Sequence, residues 1–441
     1  MRLDYLTIYP LPTLSLIKHY VCFVILLRKK CFTIASLLLL VPAPSAAFQF
    51  LCANMLCTIK KWTPSEEGTF LLANIPNDTL MLKLSHLKAN TFNLATLDKI
   101  MAIEIERSSV KKVVMPSATA TVRLKLTRTY LNDIAFVAGN GQLNFLTITE
   151  SRLKTIPSTI VHLVALETVT ITKSPIETVN LCLFSKLTRL YELNLCSNKI
   201  LFLHLPAASV GDFASLRLLF LSDNLLTTIN LGAFNGMQAL QTLDFQNNRI
   251  RRVQAALVSN SLQTLELPGN RLETLYCCEW HLPNLTRLAL SRNLLSILPT
   301  CLSLTMPNVL YLILDRNALI DSDTWYNVFT LKRLQQLDIS HNLLAKAVLD
   351  NISDSLLFLD LQHNSITVLH VPAVRMGMRI IASYNAIDTF DINSLSPNVT
   401  TLEMICNPID CSFNRARMQI GEEPVCYTDR RNCNTSKKLI K

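Results

Sequence analysis

The sequence predicts an α/β repeat: a solenoid of stacked coils whose short strands line one parallel, concave β-sheet. Three observations predict it. The pattern L-x-x-L-x-L-x-x-N-x-L recurs along most of the chain, fifteen rungs from Leu87 to Asn407 follow one another at about 23 residues, and half of the residues are hydrophobic while only 9 are glycine. That spacing at that period defines a leucine-rich-repeat horseshoe, whose core grows in one dimension, so 441 residues need not mean several globular domains.

At the N-terminus, Arg28, Lys29 and Lys30 precede an apolar run from Cys31 to Val41 and then PAPSAA, the layout of a secretory signal cleaved near Ala47–Phe48. Residues 1–47 are therefore read as a signal region with an extension that contains a second apolar run, Leu11 to Leu27. The alternatives are a start downstream of Met1 or an uncleaved anchor made of both runs. Neither run reaches the roughly 18 residues of a spanning helix. Residues 48–78 form an N-terminal cap, in which Cys52 and Cys57 staple a lid over the exposed end of the core.

Residues 79–410 are the solenoid. In its first five coils, ending at Ser174, the rung position holds Leu87, Ser108, Thr129, Ser151 and Ser174. Hydroxyls replace part of what asparagine does and Leu87 none of it, so these coils are expected to be the less regular end. The strict copies begin with LYELNLCSNKI at Leu190 and run through Leu216, Leu240, Leu262, Leu285, Val309, Leu334 and Leu356. Their rungs are Asn198, Asn224, Asn248, Asn270, Asn293, Asn317, Asn342 and Asn364, followed more loosely by Asn385 and Asn407. Strand side chains alternate, so the L-x-L leucines point inward. The turn that follows strands backbone donors and acceptors in the interior, and a carboxamide, being both donor and acceptor, can satisfy them from coil to coil.

Thirteen cysteines in an exported chain form a disulfide framework. Cys278 lies eight residues after Asn270 and Cys301 eight after Asn293. Adjacent coils are about 4.8 Å apart, within reach of a disulfide, so these two are expected to pair. Of the remaining solenoid cysteines, Cys182 best suits a buried thiol, and Cys277 is the candidate for a disulfide-linked partner chain. Sequons at Asn77, Asn284, Asn351, Asn398 and Asn434 fit a glycoprotein. The net charge of +10 is scattered, with denser clusters only at Arg415, Arg417, Arg430, Arg431, Lys437, Lys438 and Lys441, which reads as a solvated tail and not as a nucleic-acid site. Beyond Asn407 there is no apolar stretch, so no transmembrane span is expected in the mature chain.

The whole mature chain resembles extracellular leucine-rich-repeat proteins, most closely the insect leucine-rich-repeat immune family. The signal, the Cys52/Cys57 cap, the tryptophan-containing link CTIKKWTPSEEGTF, the irregular first coils and the closing NPIDC from Asn407 to Cys411 carry the resemblance. It implies that residues 411–441 make a cysteine-containing C-terminal cap and basic tail, with Cys406, Cys411, Cys426 and Cys433 paired in one of three ways. Family members of full architecture carry a C-terminal coiled coil; the thirty residues after Cys411 hold no heptads, so this chain would be a coil-less member.

No catalytic motif is present: there is no G-x-S-x-G, H-E-x-x-H or G-x-x-x-x-G-K-S/T, and the eight histidines are scattered. Neither an enzyme nor a cofactor or metal is expected. A concave strand face carries function instead. Four residues before the ladder asparagines stand Phe220, Asp244, Glu266, Ala289, Ile313, Asp338, Asp360, Ile381 and Glu403; six before them stand Leu218, Arg287, Tyr311, Gln336, Phe358 and Arg379. Large apolar side chains ringed by charge at solvated positions indicate a protein ligand on this face, through Phe220, Tyr311, Ile313, Asp338, Phe358, Asp360, Ile381 and Tyr384. Arg292, Arg316, His341, His363 and Tyr384 each precede a rung and form a further column, either a pH- or metal-sensitive edge or a solvated one. The expected function is that of a secreted protein that binds other proteins, in innate immune recognition or scaffolding; the alternative is an adhesion or signalling protein tethered by its N-terminal apolar segments.

Overall fold

The computed structural model describes residues 48–204, 212–321, 324–350, 352–371, 374, 377–391 and 395–409, together with the backbone of 419–420 and 423–424. The signal region, Asn351, Cys411, Cys426, Cys433 and Asn434 lie outside the described residues. Two compact units divide the chain, Met1–Leu153 and Lys154–Lys441.

The first unit opens with an antiparallel hairpin, Gln49–Ala53 against Leu56–Lys60. Asn54 and Met55, at φ 50° and 64°, make its two-residue turn, the left-handed pair that matches the twist of hairpin strands. Cys52 sits opposite Cys57 in register, and the two are disulfide-bonded. From Leu56–Lys60 the strands are parallel: Met81–Ser85, Ala102–Ser108, Arg123–Thr129 and Phe145–Thr149. A second parallel sheet, Thr91–Asn93, Lys112–Met115 and Asp133–Phe136, closes the other side of these coils. Trp62 of the link is buried, its indole N–H donating to the Gly68 carbonyl and its ring meeting Phe92 edge-on.

These coils are not the less regular ones. Their strands run five to seven residues, whereas most in the asparagine coils run three. In two of them, Ala102–Ser108 and Arg123–Thr129, the ladder runs on to the rung, where Ser108 pairs with Thr129. The hydroxyls do substitute incompletely. Ser108 Oγ accepts the Leu87 N–H and donates to the Glu106 carbonyl, but the Thr129 hydroxyl is buried with no partner.

In the second unit eleven described strands run parallel, from Thr168–Thr172 through Glu192–Asn194, Leu218–Phe220, Thr242–Asp244, Thr264–Glu266, Arg287–Ala289, Tyr311–Ile313, Gln336–Asp338, Phe358–Asp360 and Met378–Ile381 to Val399–Glu403. Leu193, Leu219, Leu243, Leu265, Leu288, Leu312, Leu337 and Leu359 are all 0% exposed, one beneath the next. Helix is confined to single turns such as Leu181–Phe184, Leu231–Phe234 and Leu302–Thr305 and to Thr324–Phe329. The expected leucine-rich-repeat solenoid is thus the fold.

The asparagines bridge coils as their chemistry requires. Asn224 donates from Nδ2 to the Leu221 carbonyl of its own coil and the Leu195 carbonyl of the coil before, while its Oδ1 accepts the Ile200 N–H. Asn248, Asn270, Asn293 and Asn342 repeat the arrangement. To aim the amide inward, the residue before each rung turns left-handed, from Asp223 and Asn247 to Arg316, His341, His363 and Tyr384. Glycine supplies this conformation once, at Gly269.

Candidate functional site on the outward strand face

Because successive strand residues alternate, the positions flanking each buried leucine face away from the core. Parallel register then aligns them. One row reads Arg287, Tyr311, Gln336, Phe358, Arg379; the other reads Ala289, Ile313, Asp338, Asp360, Ile381, Glu403. Neighbouring strands lie about 4.8 Å apart, so Tyr311 and Phe358 stand roughly 10 Å apart across Gln336, and the second row runs about 7 Å from the first.

Six of the expected binding residues therefore meet: Tyr311, Ile313, Asp338, Phe358, Asp360 and Ile381. Tyr311 is 36% exposed, and Phe358, Ile313 and Ile381 are half-buried. Phe220 does not join them, for its strand lies four spacings from that of Tyr311, about 19 Å. Tyr384 lies past the end of its strand, on the trailing edge. Ala289 is buried. Two residues on this face were not singled out in the sequence, Arg287 and Arg379 as ion-pair donors. Arg287 Nε bonds Glu266 and Arg379 bonds Glu403, each at 2.6 Å, and the Arg379 guanidinium also stands 5.9 Å over the Phe358 ring. The signal was available, since each arginine sits one coil away from its carboxylate.

Asp338 and Asp360 are less exposed than solvated strand positions suggest, Asp360 being only 6% exposed. Asp338 accepts the Ser340 N–H and hydroxyl, and Asp360 accepts the Gln362 N–H and side-chain amide. Burial pushes both carboxyls upward, Asp360 to about 6, with repulsion from Asp338 and Asp315 adding to it. A carboxyl protonated more readily in the folded than in the unfolded chain makes folding take up a proton, so stability is fully present below about pH 4 and falls as pH rises through about 6. Asp360→Asn should accordingly raise stability at pH 7 by about 1–2 kcal/mol and leave it nearly unchanged at pH 4. Thermal melts at the two pH values check this; equal shifts at both would refute it.

The trailing edge carries a stack of rings. His341 lies 4.1 Å from His363, and His363 lies 4.3 Å from Tyr384, all nearly parallel. Imidazoles meeting face to face do not converge their nitrogens on a point between them. Desolvation, then the neighbouring His363 and Arg316, lowers His341 to about 4, so its charge changes well below neutral pH. Of the two readings of this edge, that speaks for the solvated one at neutral pH. Among the described residues no cluster of three His, Cys, Asp or Glu side chains is placed to hold a metal.

Cys278 and Cys301 are disulfide-bonded, with Cα atoms 5.0 Å apart on adjacent coils, and Cys406 is also disulfide-bonded. The buried-thiol role expected of Cys182 falls to Cys277. Cys277 is 0% exposed, its thiol donates to the Thr300 carbonyl and burial pushes it up to about 11, whereas Cys182 is half-buried. A sulfur so enclosed cannot reach a second chain. Asn77 is exposed in the first unit. Asn284 and Asn398 are exposed nine residues before their rungs, on the leading edge of the strands, away from the ring stack. The first unit presents a different outward face, charged and self-paired, with Lys83 bonded to Glu106 at 3.0 Å and Lys125 to Glu104 at 2.7 Å.

Residues 214–272 match the family model described as Leucine rich repeat. The chain is 29% identical to osteomodulin of Bos taurus over 286 residues, 58% of this chain and 65% of that protein. It is 32% identical to fibromodulin of Oryctolagus cuniculus over 134 residues, 30% of this chain and 89% of that sequence. The matched part is thus just under two thirds of osteomodulin's length. Among solved structures, the crystal structure of an LRIM1/APL1C complex superposes with a TM-score of 0.59 at 19% identity, covering 75% of this chain and 62% of that chain. At that identity the likeness concerns the fold alone. Among the described residues no helix is long and apolar enough to cross a membrane.

Proposed function

We propose a protein-binding role from one premise: the chain belongs to the leucine-rich-repeat proteins, with small leucine-rich proteoglycans among its relatives. It acts as an extracellular scaffold that holds a partner protein against the outward strand face. The observation that carries this is the juxtaposition of Tyr311, Ile313, Phe358 and Ile381 on three of four successive strands, apolar side chains at positions the repeat leaves to solvent. Aromatic and aliphatic area offered on a rigid sheet supplies binding energy at little entropic cost.

The surroundings of the face support the reading. Glycans on Asn284 and Asn398 would stand at the leading edge and leave the rows open. The setting is extracellular, a reading that the signal pattern and the disulfides support. A matrix scaffold fits the relatives at 29–32% identity over their matched lengths. Innate immune recognition is the second reading, favoured by the Cys52/Cys57 cap and the Trp62 link.

A glycan wedge tests the surface. Gln336→Asn with Asp338→Thr creates a sequon in the middle of the two rows. The wild-type chain, immobilised, should retain specific proteins from its native extracellular fluid, and the wedge variant should lose them while folding and secretion persist. Retention of the same proteins by the glycosylated variant would place binding elsewhere. The mature N-terminus, mapped on protein from the medium, should lie near Phe48; membrane retention with Leu11 to Val41 intact would instead support the tethered alternative.

A further inference from the structure

Charge on the strand face is unevenly satisfied. Of the carboxylates in the row containing Asp338, Glu266 and Glu403 each hold an arginine of the neighbouring strand at 2.6 Å. Asp338 and Asp360 hold none: among the described residues no Lys or Arg lies within ion-pair distance of either, and their hydrogen bonds come only from Ser340 and Gln362 two residues along. Asp244 is likewise without a cation, but the carboxylate next to it on the adjacent strand, Glu266, is paired. Among the described residues only Asp338 and Asp360 place two carboxylates of this row without a cation on adjacent strands, Asp338 half-buried and Asp360 6% exposed.

Their surroundings make the pair costly to the protein alone and selective for what it binds. Ile313 precedes Asp338 in the row and Ile381 follows Asp360, while Gln336 and Phe358, with Tyr311 one strand further, stand alongside. Apolar neighbours exclude water, and a charge pair formed there is stronger than one at an open surface. An anion would add to the repulsion, and a purely apolar group would desolvate two carboxylates without replacing their hydration. Only a cationic group satisfies both, and one carried on a peptide also brings apolar neighbours for the rings and isoleucines.

We propose that the Asp338–Asp360 pair receives a lysine or arginine side chain of a protein partner, whose flanking apolar residues pack on Tyr311, Ile313, Phe358 and Ile381. This rests on the strand face being the binding surface and names the chemistry of what it binds. The two carboxylates act as a specificity element that weakens the free chain and strengthens the complex.

That opposition makes the proposal testable. A displayed random-peptide library selected on the secreted, full-length chain should enrich peptides with Lys or Arg beside apolar residues. For a synthetic copy of the dominant peptide, Asp338→Asn with Asp360→Asn should weaken binding by about tenfold or more. Replacing the peptide's basic residue by norleucine should cost the wild type a similar factor and cost the double variant little, the signature of a direct pair in a mutant cycle. The same double variant should melt at or above the wild-type temperature, an outcome that a merely structural role would reverse. Selected peptides lacking basic residues, or bound equally by the double variant, would overturn the assignment. If Tyr311→Ala with Phe358→Ala abolishes binding while the Asp variant does not, the face reading stands and the cation assignment falls. If neither variant matters, or no peptide is selected, both fall.

Discussion

Asn293→Ala is expected to destabilise the second unit by about 3–5 kcal/mol, more than any single substitution on its surface. The Asn293 side chain is 5% exposed and serves four backbone groups: its Nδ2 donates to the Leu267 and Leu290 carbonyls at 3.0 Å and to the Ser291 carbonyl at 3.2 Å, and its Oδ1 accepts the Leu272 N–H at 3.0 Å. Alanine removes every one of these partners. Each buried group left unpaired costs about 1–3 kcal/mol. Since the bonds join two coils, the loss falls on the contact between neighbours that holds a solenoid together, and unfolding should begin at this rung. Denaturant titration of secreted protein checks the magnitude; a loss under about 1 kcal/mol would mean that the carboxamide is dispensable. Asn407→Ala, at a half-exposed rung, should cost much less.

How much of this was legible follows from what a strict period conveys. Leucine and asparagine positions repeat without slippage, so burial of Leu193 through Leu359 and the bonds of the ladder could be read before any coordinates. The same counting paired Cys278 with Cys301, because an equal offset from adjacent rungs means vertical neighbours. Where the rung lacks asparagine, counting did not convey strand length: the strands of the first unit run five to seven residues although the residue before the rung, as at Arg107 and Arg128, still turns left-handed. Columns were legible, but their contents were not equally close. Phe220 shares the row of Ile313 and stands four coils away, a distance the repeat number already implied. Cys277 shows a different limit. Counting gave Cys278 its partner but not the environment of the cysteine beside it, and only the backbone path shows that Cys277 is enclosed. The ion pairs of the face are not legible in either column, because each arginine stands in one column and the carboxylate it meets stands in the other, on the neighbouring strand.

Binding through the strand face should collapse when its rings are removed. Tyr311→Ala with Phe358→Ala is expected to weaken partner binding by about 2 kcal/mol or more, because interface energy concentrates in aromatic anchors that become buried on association. The two contributions differ in kind. Tyr311 keeps 36% of its surface exposed, so its truncation removes area offered to a partner and little that the fold uses. Phe358 is half-buried, and the Arg379 guanidinium lies over its ring while bonding Glu403 at 2.6 Å. Its loss should therefore free Arg379 to move and cost a small amount of stability as well. Secretion and melting temperature of the double variant should stay near wild type, since the leucines beneath, Leu312 and Leu359, are 0% exposed and untouched. The decisive comparison is between the single variants: if Phe358→Ala alone melts much earlier and Tyr311→Ala alone binds normally, the ring belongs to the core and the interface lies elsewhere. If both single variants lose affinity while holding their melting temperature, the two rings are anchors of one site.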